Sequence, residues 1–140
     1  NELARRVRLS PPAVAERVRR LEQAGVIAGY SAQVDPARVG QPLLAFIQLR
    51  CSLGRCLLKT TTADELPELV EIHKLSGEHC TLLKARATSL EHLEGLVERL
   101  GEHGEMRTHI VLSTQFSGRP VEPAAPAPPV TPSAGWSTPR

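Results

Sequence analysis

Aromatic side chains are scarce in this chain, with two Phe, one Tyr and one Trp among 140 residues. Any core must therefore be filled by Leu, Val, Ile and Ala. Cysteine is equally sparse and odd in number, three in all, which argues against a disulfide framework and for a reducing cytoplasm. No apolar run approaches the length of a membrane span, and no signal-peptide pattern opens the chain. No Ser/His/Asp set, phosphate-binding loop or dinucleotide fingerprint is present. His73, His92, His103 and His109 are scattered and read as surface or packing residues, so no enzymatic activity is expected. The hydrophobic share of 41% is that of a globular chain, and the length suits one ordinary domain or two small ones. The sequence opens on Asn and enters a helical pattern at once. The N-terminus is therefore expected to be truncated, lacking an earlier helix that would complete a trihelical core.

The first thirty residues carry most of the information. Leu3, Ala4 and Val7 mark one short apolar face, and Val14, Val18 and Leu21 mark a second at helical spacing. Between them, Arg8-Leu9-Ser10-Pro11-Pro12 ends one helix and starts another. Ser10 can accept a hydrogen bond from an orphan N–H of the new helix, and proline is tolerated in its first turn. Gly25 is placed to close the second helix in a left-handed conformation. Ile27–Tyr30 and Ser31–Val34 can pair as the two short strands of a wing. Helices this short, at this separation, bury their faces against each other only at a steep angle, the helix-turn-helix arrangement. Ala13, Glu16, Arg17 and Arg20 line the outward stripe of the second helix. Small residues at its start permit approach to base edges, and the arginines can grip guanine or phosphate. Arg5, Arg6 and Arg19 add a local positive excess that the net charge of +2 conceals. The alternative is a solvated basic face on an ordinary helical hairpin.

Four segments follow: a winged helix-turn-helix over 1–34, a hinge over 35–42, a second domain over 43–114 and a tail over 115–140. Asp35-Pro36 reads as a turn or helix-start signal. In the second domain Leu43–Arg50 is a strand, and Gly54–Glu65 is a weak helix poorly served by Thr60-Thr61-Thr62. Leu69–Lys74 and Thr81–Ala87 are strands flanking a loop. Ser89 caps a helix bearing Leu90, Leu93, Leu96, Val97 and Leu100, and Met106–Thr114 is a last strand. The order βαββαβ predicts an α+β protein with a ferredoxin-like sandwich, both helices on one face of an antiparallel sheet. The tail, rich in Pro and Ala with a lone Trp136, is expected to be disordered.

The strands LLAFIQL and HIVLST are apolar on both faces. Helices cover one face, and a second copy of the sheet is the simplest cover for the other, which predicts a homodimer. The alternative cover is the tail.

In these residues the chain resembles the leucine-responsive regulatory protein/AsnC (Lrp/AsnC) family of prokaryotic transcription regulators. NELARRV…LSPPAVAERVRRLEQAGVIAGYSAQVDPARVG resembles its winged helix-turn-helix and hinge. VEIHKLSGEHCTLLKARATSLEHLEGLVERL…RTHIVLST resembles its amino-acid-sensing RAM domain. The resemblance implies a DNA-binding regulator of double-stranded DNA, dimers assembled into octamers or similar discs, and a small effector bound between sensing domains. It implies DNA contact by Ser10, Pro12, Ala13, Glu16, Arg17 and Arg20, and effector contact by Ser76, Gly77, Glu78, His79, Cys80 and Thr81. No cofactor or metal is implied. Three positions depart from the family. Arg8 stands where a glycine is usual, at a cost of roughly 1 kcal/mol if its backbone is left-handed. Cys80 and Thr81 replace the usual Asp and apolar residue, leaving Glu78 as the only acid of the loop.

The loop also admits a plain hairpin turn. Cys51, Cys56 and Cys80, with His79, invite a metal or thiol-sensor reading, because the end of the first strand and the start of the third share a sheet edge. Buried free thiols packed as small hydrophobes are the alternative. A small-molecule, metal or thiol sensor module without DNA binding is thus the second functional reading.

Overall fold

The computed structural model describes residues 2–121, 123 and 124. Trp136 and most of the expected disordered tail lie outside the described residues. The chain up to Ile110 forms one compact unit.

The N-terminal helices are α1 (Glu2–Arg6) and α2 (Pro11–Gln23). Ser10 caps α2 as expected, its Oγ accepting from the Ala13 N–H at 3.4 Å, with two prolines in the first turn. Both helices end in the same left-handed device. After α2, Gly25 has φ +70°, the Gly25 N–H donates to the Glu22 carbonyl and the Val26 N–H to the Leu21 carbonyl. After α1, Arg8 takes the equivalent place at φ +53°, with the Arg8 N–H donating to Arg5 and the Leu9 N–H to Ala4. This pair of reversed bonds satisfies carbonyls that the helix end would otherwise leave open. The two strands expected in the wing are not formed: residues 28–35 hold no strand, and Tyr30 and Val34 are exposed. An isolated pair of four-residue strands with no apolar face to pack is not stable in water. Turns over 36–40 replace it, started by Asp35, whose Oδ1 accepts from the Ala37 N–H at 3.0 Å.

The rest of the unit is a four-stranded antiparallel sheet of β1 (Leu43–Cys51), β2 (Leu69–Lys74), β3 (Thr81–Ala87) and β4 (Gly104–Ile110), in the order β2-β3-β1-β4. That order, with crossover helices between β1 and β2 and between β3 and β4, is the ferredoxin-like sandwich. Ala45, Ile47 and Leu49 of β1 and Leu83, Ala85 and Ala87 of β3 alternate onto one face. Leu93, Leu96 and Leu100 of α4 (Leu90–Gly101) close that face, and Ser89 caps α4 by accepting from the His92 N–H.

Two elements differ from expectation. The first crossover helix shrinks to one turn, α3 (Leu57–Thr60), followed by a 3-10 turn at Ala63–Glu65. Thr60 returns its hydroxyl to the Cys56 carbonyl and Thr61 is already extended, so the β-branched run stops the helix after Leu57 is buried. The last strand starts two residues early and stops at Ile110 instead of Thr114. Its ladder to β1 ends at the Ala45–Ile110 pair, while Leu43 and Leu44 go on pairing with β3 alone. At the other end Gly104 faces Cys51 with φ +153°, and a Cβ there would lie 2.1 Å from the Arg50 carbonyl oxygen. Only glycine fits. From Val111 to Val121 the chain is irregular, with the Arg119 guanidinium 4.6 Å above the Phe116 ring.

Candidate functional site

The six residues expected to meet DNA run from the Ser10 cap of α2 to Arg20 in its last turn. Ser10, Pro12, Arg17 and Arg20 are exposed, and Ala13 and Glu16 are half-buried. Their hydrogen bonding sorts them. Glu16 holds Arg20 at 3.0 Å and also pairs with Arg19. Glu16 thus acts within its own helix, orienting two cations. Arg17 makes no ion pair among the described residues and is the uncommitted cation of the stripe. On the inner face Val14, Val18 and Leu21 meet Leu3, Val7 and Leu9 across an apolar groove of about 240 Å³, and Arg17 lines the same groove, so its side chain borders this face and not the outward stripe alone.

The effector candidates occupy the connection from β2 to β3. Ser76, Gly77, Glu78 and His79 form the bend, Cys80 follows, and Thr81 opens β3 fully buried. Leu75 and Cys80 close the loop, the Leu75 N–H donating to the Cys80 carbonyl at 2.8 Å. Gly77 has φ +101° and nothing within 4 Å of the place its Cβ would take. The loop's only acid is already engaged: Glu78 lies 3.3 Å from Arg50, which also pairs with Glu105 on β4. His79 keeps a buried Nε2 with no hydrogen-bond partner among the described residues. Arg50 is therefore part of this site, and sequence reasoning did not include it. The signal was available, since a cation closing the first strand of this topology lies beside the start of the third.

A second polar cluster was also not anticipated. Glu68, just before β2, is buried and meets His92 at 3.1 Å and the Arg99 guanidinium, both on α4. Burial pushes its carboxyl up, but hydrogen bonds from its own backbone, Arg99 and His92 outweigh that and bring it below the usual carboxylate range. Glu71 on β2 is also held low, chiefly by the Lys84 ammonium at 2.7 Å and then by His73.

A helix-turn-helix with an open basic face, joined to a ferredoxin-like domain, defines a DNA-binding regulator with an attached ligand-binding domain. Residues 1–28 match a winged helix-turn-helix DNA-binding family, and residues 44–121 match the Lrp/AsnC ligand-binding domain. The chain is 36% identical over 128 residues to the HTH-type transcriptional regulator LrpA of Mycobacterium tuberculosis, covering 85% of this chain and 81% of that protein. It is 31% identical over 112 residues to LrpC of Bacillus subtilis, covering 80% and 78%. The solved feast or famine regulatory protein of M. tuberculosis, complexed with L-methionine, superposes with a TM-score of 0.72 at 34% identity, covering 88% of this chain and 86% of that one. The chain belongs to the Lrp/AsnC family of transcription regulators. It is a ligand-responsive DNA-binding regulator and not an enzyme. Among the described residues no helix is long and apolar enough to cross a membrane.

Proposed function

We propose that the protein is an amino-acid-responsive regulator acting in the cytoplasm, in which α2 reads double-stranded DNA and the 76–81 loop takes the effector between sensing domains of two copies. In this reading residues 1–34 read DNA, 35–42 are the hinge, 43–114 sense and dimerise, and 115–140 are a tail. Arg17 is the base-reading or phosphate-gripping residue. Ser10, Pro12 and Ala13 set the approach of the helix, and Glu16 fixes Arg20.

The observation that carries the effector assignment is the Gly77 bend, left-handed and open, beside the exposed Glu78–Arg50 pair. A zwitterion needs a partner for each charge when it leaves water. Glu78 supplies one for the ammonium, and Arg50 with the loop N–H groups supplies one for the carboxylate. An exposed ion pair contributes only about 0–1 kcal/mol, so parting it for a ligand costs little. The orphan Nε2 of His79 gives the site a further polar atom in want of a partner. The M. tuberculosis relative solved with L-methionine makes that amino acid the first probe.

Self-association is supported by the sheet face opposite α4, where Leu44, Phe46 and Leu82 alternate out between buried neighbours and no described helix lies. Ile110 pairs with Ala45 and so belongs to the α4 side, which makes Phe46 the better probe of this face. Phe46→Lys is expected to convert the dimer to monomers in sedimentation. A folded variant that stays dimeric removes the sheet-to-sheet interface.

The deciding experiment titrates L-methionine into the protein–DNA complex, followed by fluorescence anisotropy, for the native chain and Gly77→Val. Valine cannot adopt the Gly77 backbone without strain, and its branches fill the open space. The response is expected to vanish while affinity for DNA without effector is retained. A normal response from Gly77→Val overturns the loop as the effector site.

A further inference from the structure

Three cysteines are reduced and half-buried, and two of them, Cys51 and Cys80, meet where the effector loop joins the sheet. Cys51 ends β1, Cys56 precedes α3 without capping it through its side chain, and Cys80 precedes β3. Leu49 is the last β1 residue paired with β3, opposite Thr81, so Cys80 follows next to Arg50 and diagonal to Cys51 at the adjacent strand end. The Cys80 sulfur is held from three sides. It accepts from the Cys51 backbone N–H at 3.5 Å, its thiol donates to the Leu49 carbonyl oxygen at 3.6 Å, and it lies 3.5 Å from the Thr81 hydroxyl.

We propose that Cys51 and Cys80 form an oxidant-reactive dithiol that closes to a disulfide at the expense of hydrogen peroxide or an organic hydroperoxide, pinning the effector loop to the end of β1.

The two thiols are made unequal by their surroundings. The Cys51 backbone N–H, then the Thr81 hydroxyl and the Cys51 side chain, stabilise a Cys80 thiolate and lower its pKa. Cys51 is pushed up to about 11, by burial first and also by the neighbouring Cys80 and Cys56 sulfurs, against a partial lowering from the Leu57 backbone. Cys80 is therefore the attacking sulfur and Cys51 the resolving one. The Cys80 thiolate attacks the peroxide O–O bond and keeps one oxygen as a sulfenic acid. The other oxygen leaves as hydroxide, or as alkoxide from an organic hydroperoxide, and takes up the proton released by Cys80, giving water or an alcohol. The Cys51 sulfur then attacks Cys80, the S–O bond breaks as the S–S bond forms, and the departing oxygen takes the Cys51 proton as water. Two thiols lose two electrons, and one peroxide gains them. A dithiol reductant reverses the reaction by exchange. A metal site is a poorer reading, because no three potential ligands among the described residues are gathered closely enough to hold an ion.

The chemistry stands on the cysteine geometry alone, whereas its regulatory consequence rests on the proposed effector role of residues 76–81. Full-length protein exposed to hydrogen peroxide is digested without reduction and mapped by mass spectrometry. The expected product joins the Cys51 and Cys80 peptides and leaves Cys56 free. In Cys51→Ser, dimedone is expected to trap a sulfenic acid on Cys80. Before oxidation, iodoacetamide is expected to modify Cys80 at least about tenfold faster than Cys51. Two pKa units remove a hundredfold of thiolate, of which the greater nucleophilicity returns about tenfold. A bridge to Cys56, or three thiols still free after peroxide, overturns the proposal without any variant having to fold. L-methionine titrations of the reduced and oxidised protein separate the two readings. Thiols that resist peroxide in a protein that answers L-methionine sink the dithiol alone. A Cys51–Cys80 bridge in a protein whose reduced form ignores every amino acid sinks the effector loop alone.

Discussion

The helical hairpin and the sheet of this regulator are held together by different means. In α1 and α2 only Ala4 is buried, and Leu3, Val7 and Leu21 stay about half exposed. The sandwich buries eleven apolar side chains in one contiguous cluster drawn from β1, β3, α3, α4 and Leu66 in the connection before β2. What defines the hairpin is local: a serine cap, two prolines, two left-handed helix ends, and ion pairs three and four residues apart. What defines the sheet is non-local burial, with partners as far apart as Ala45 and Ile110. Local devices fix a shape and contribute tenths to about 1 kcal/mol each, whereas a buried leucine contributes several. The DNA-reading part is therefore shaped by its own residues but weakly stabilised by them, and the sensing part is the stable platform.

The largest effects should fall on the platform. Leu96 is fully buried between α4 and the sheet, so Leu96→Ala is expected to cost about 2–5 kcal/mol in denaturant unfolding. Val18→Ala in the hairpin, at a half-exposed position, should cost less than about 1 kcal/mol. Equal losses would mean that the hairpin groove is as well packed in solution as the sandwich, and the contrast between the two parts would fail.

For recognition the ranking reverses. Arg17→Ala is expected to lower affinity for a specific site by about 1–3 kcal/mol if it reads a base, and to reduce the salt dependence if it grips phosphate. Leu96→Ala, measured where it remains folded, should leave affinity unchanged by comparison. An Arg17 variant that keeps both affinity and salt slope removes α2 as the reading helix.

This division also explains which parts of the molecule were legible in the sequence. The α2 start, the Gly25 stop, both ends of β2 and β3, and the Ser89 cap depend on signals within a few residues, and all were readable. The wing strands and the end of β4 were misread because strand pairing depends on a distant partner, whereas the first crossover helix is cut short by a local run that was weighted too little. Residues 28–35 form no ladder, the Thr60-Thr61-Thr62 run outweighs the weak helix signal before it, and the β4 ladder ends at the Ala45–Ile110 pair. At the loop, Gly77 and Cys80 were visible as residues, whereas the Arg50–Glu78 pair and the approach of Cys51 follow from strand order and register. Strand order was anticipated in outline; side-chain direction was not.

A smaller effect tests the joint between α4 and the β2 edge. The Glu68 carboxyl is lowered on folding, so its stabilisation is complete above the ordinary value of 4.5 and is lost as pH falls through the lower folded value. Glu68→Gln should therefore cost about 1–2 kcal/mol at neutral pH, where charged hydrogen bonds to Arg99 and His92 are broken. The gap to the native chain should close in acid. A gap that persists unchanged well below pH 4.5 would assign the contribution to packing instead of charge.

The smallest effect returns to the hairpin and to the two helix ends it repeats. Gly25 and Arg8 occupy equivalent positions, each closing a helix with the same pair of reversed hydrogen bonds, yet one is the residue that left-handed backbone favours and the other is not. A non-glycine residue there is strained by about 1–2 kcal/mol. Glycine relieves that strain but loosens the unfolded chain, returning about 0.4–1 kcal/mol. Arg8→Gly is thus expected to stabilise the hairpin by roughly 0.5–1 kcal/mol. The gain should be visible as slower hydrogen exchange at the Leu9 N–H, which donates to the Ala4 carbonyl at 3.0 Å. Because the sandwich sets global unfolding, the gain should scarcely move the main denaturation midpoint. Faster exchange at Leu9 in Arg8→Gly would mean that the arginine side chain contributes more to the turn than its backbone costs. The two helix ends would then be alike in geometry only.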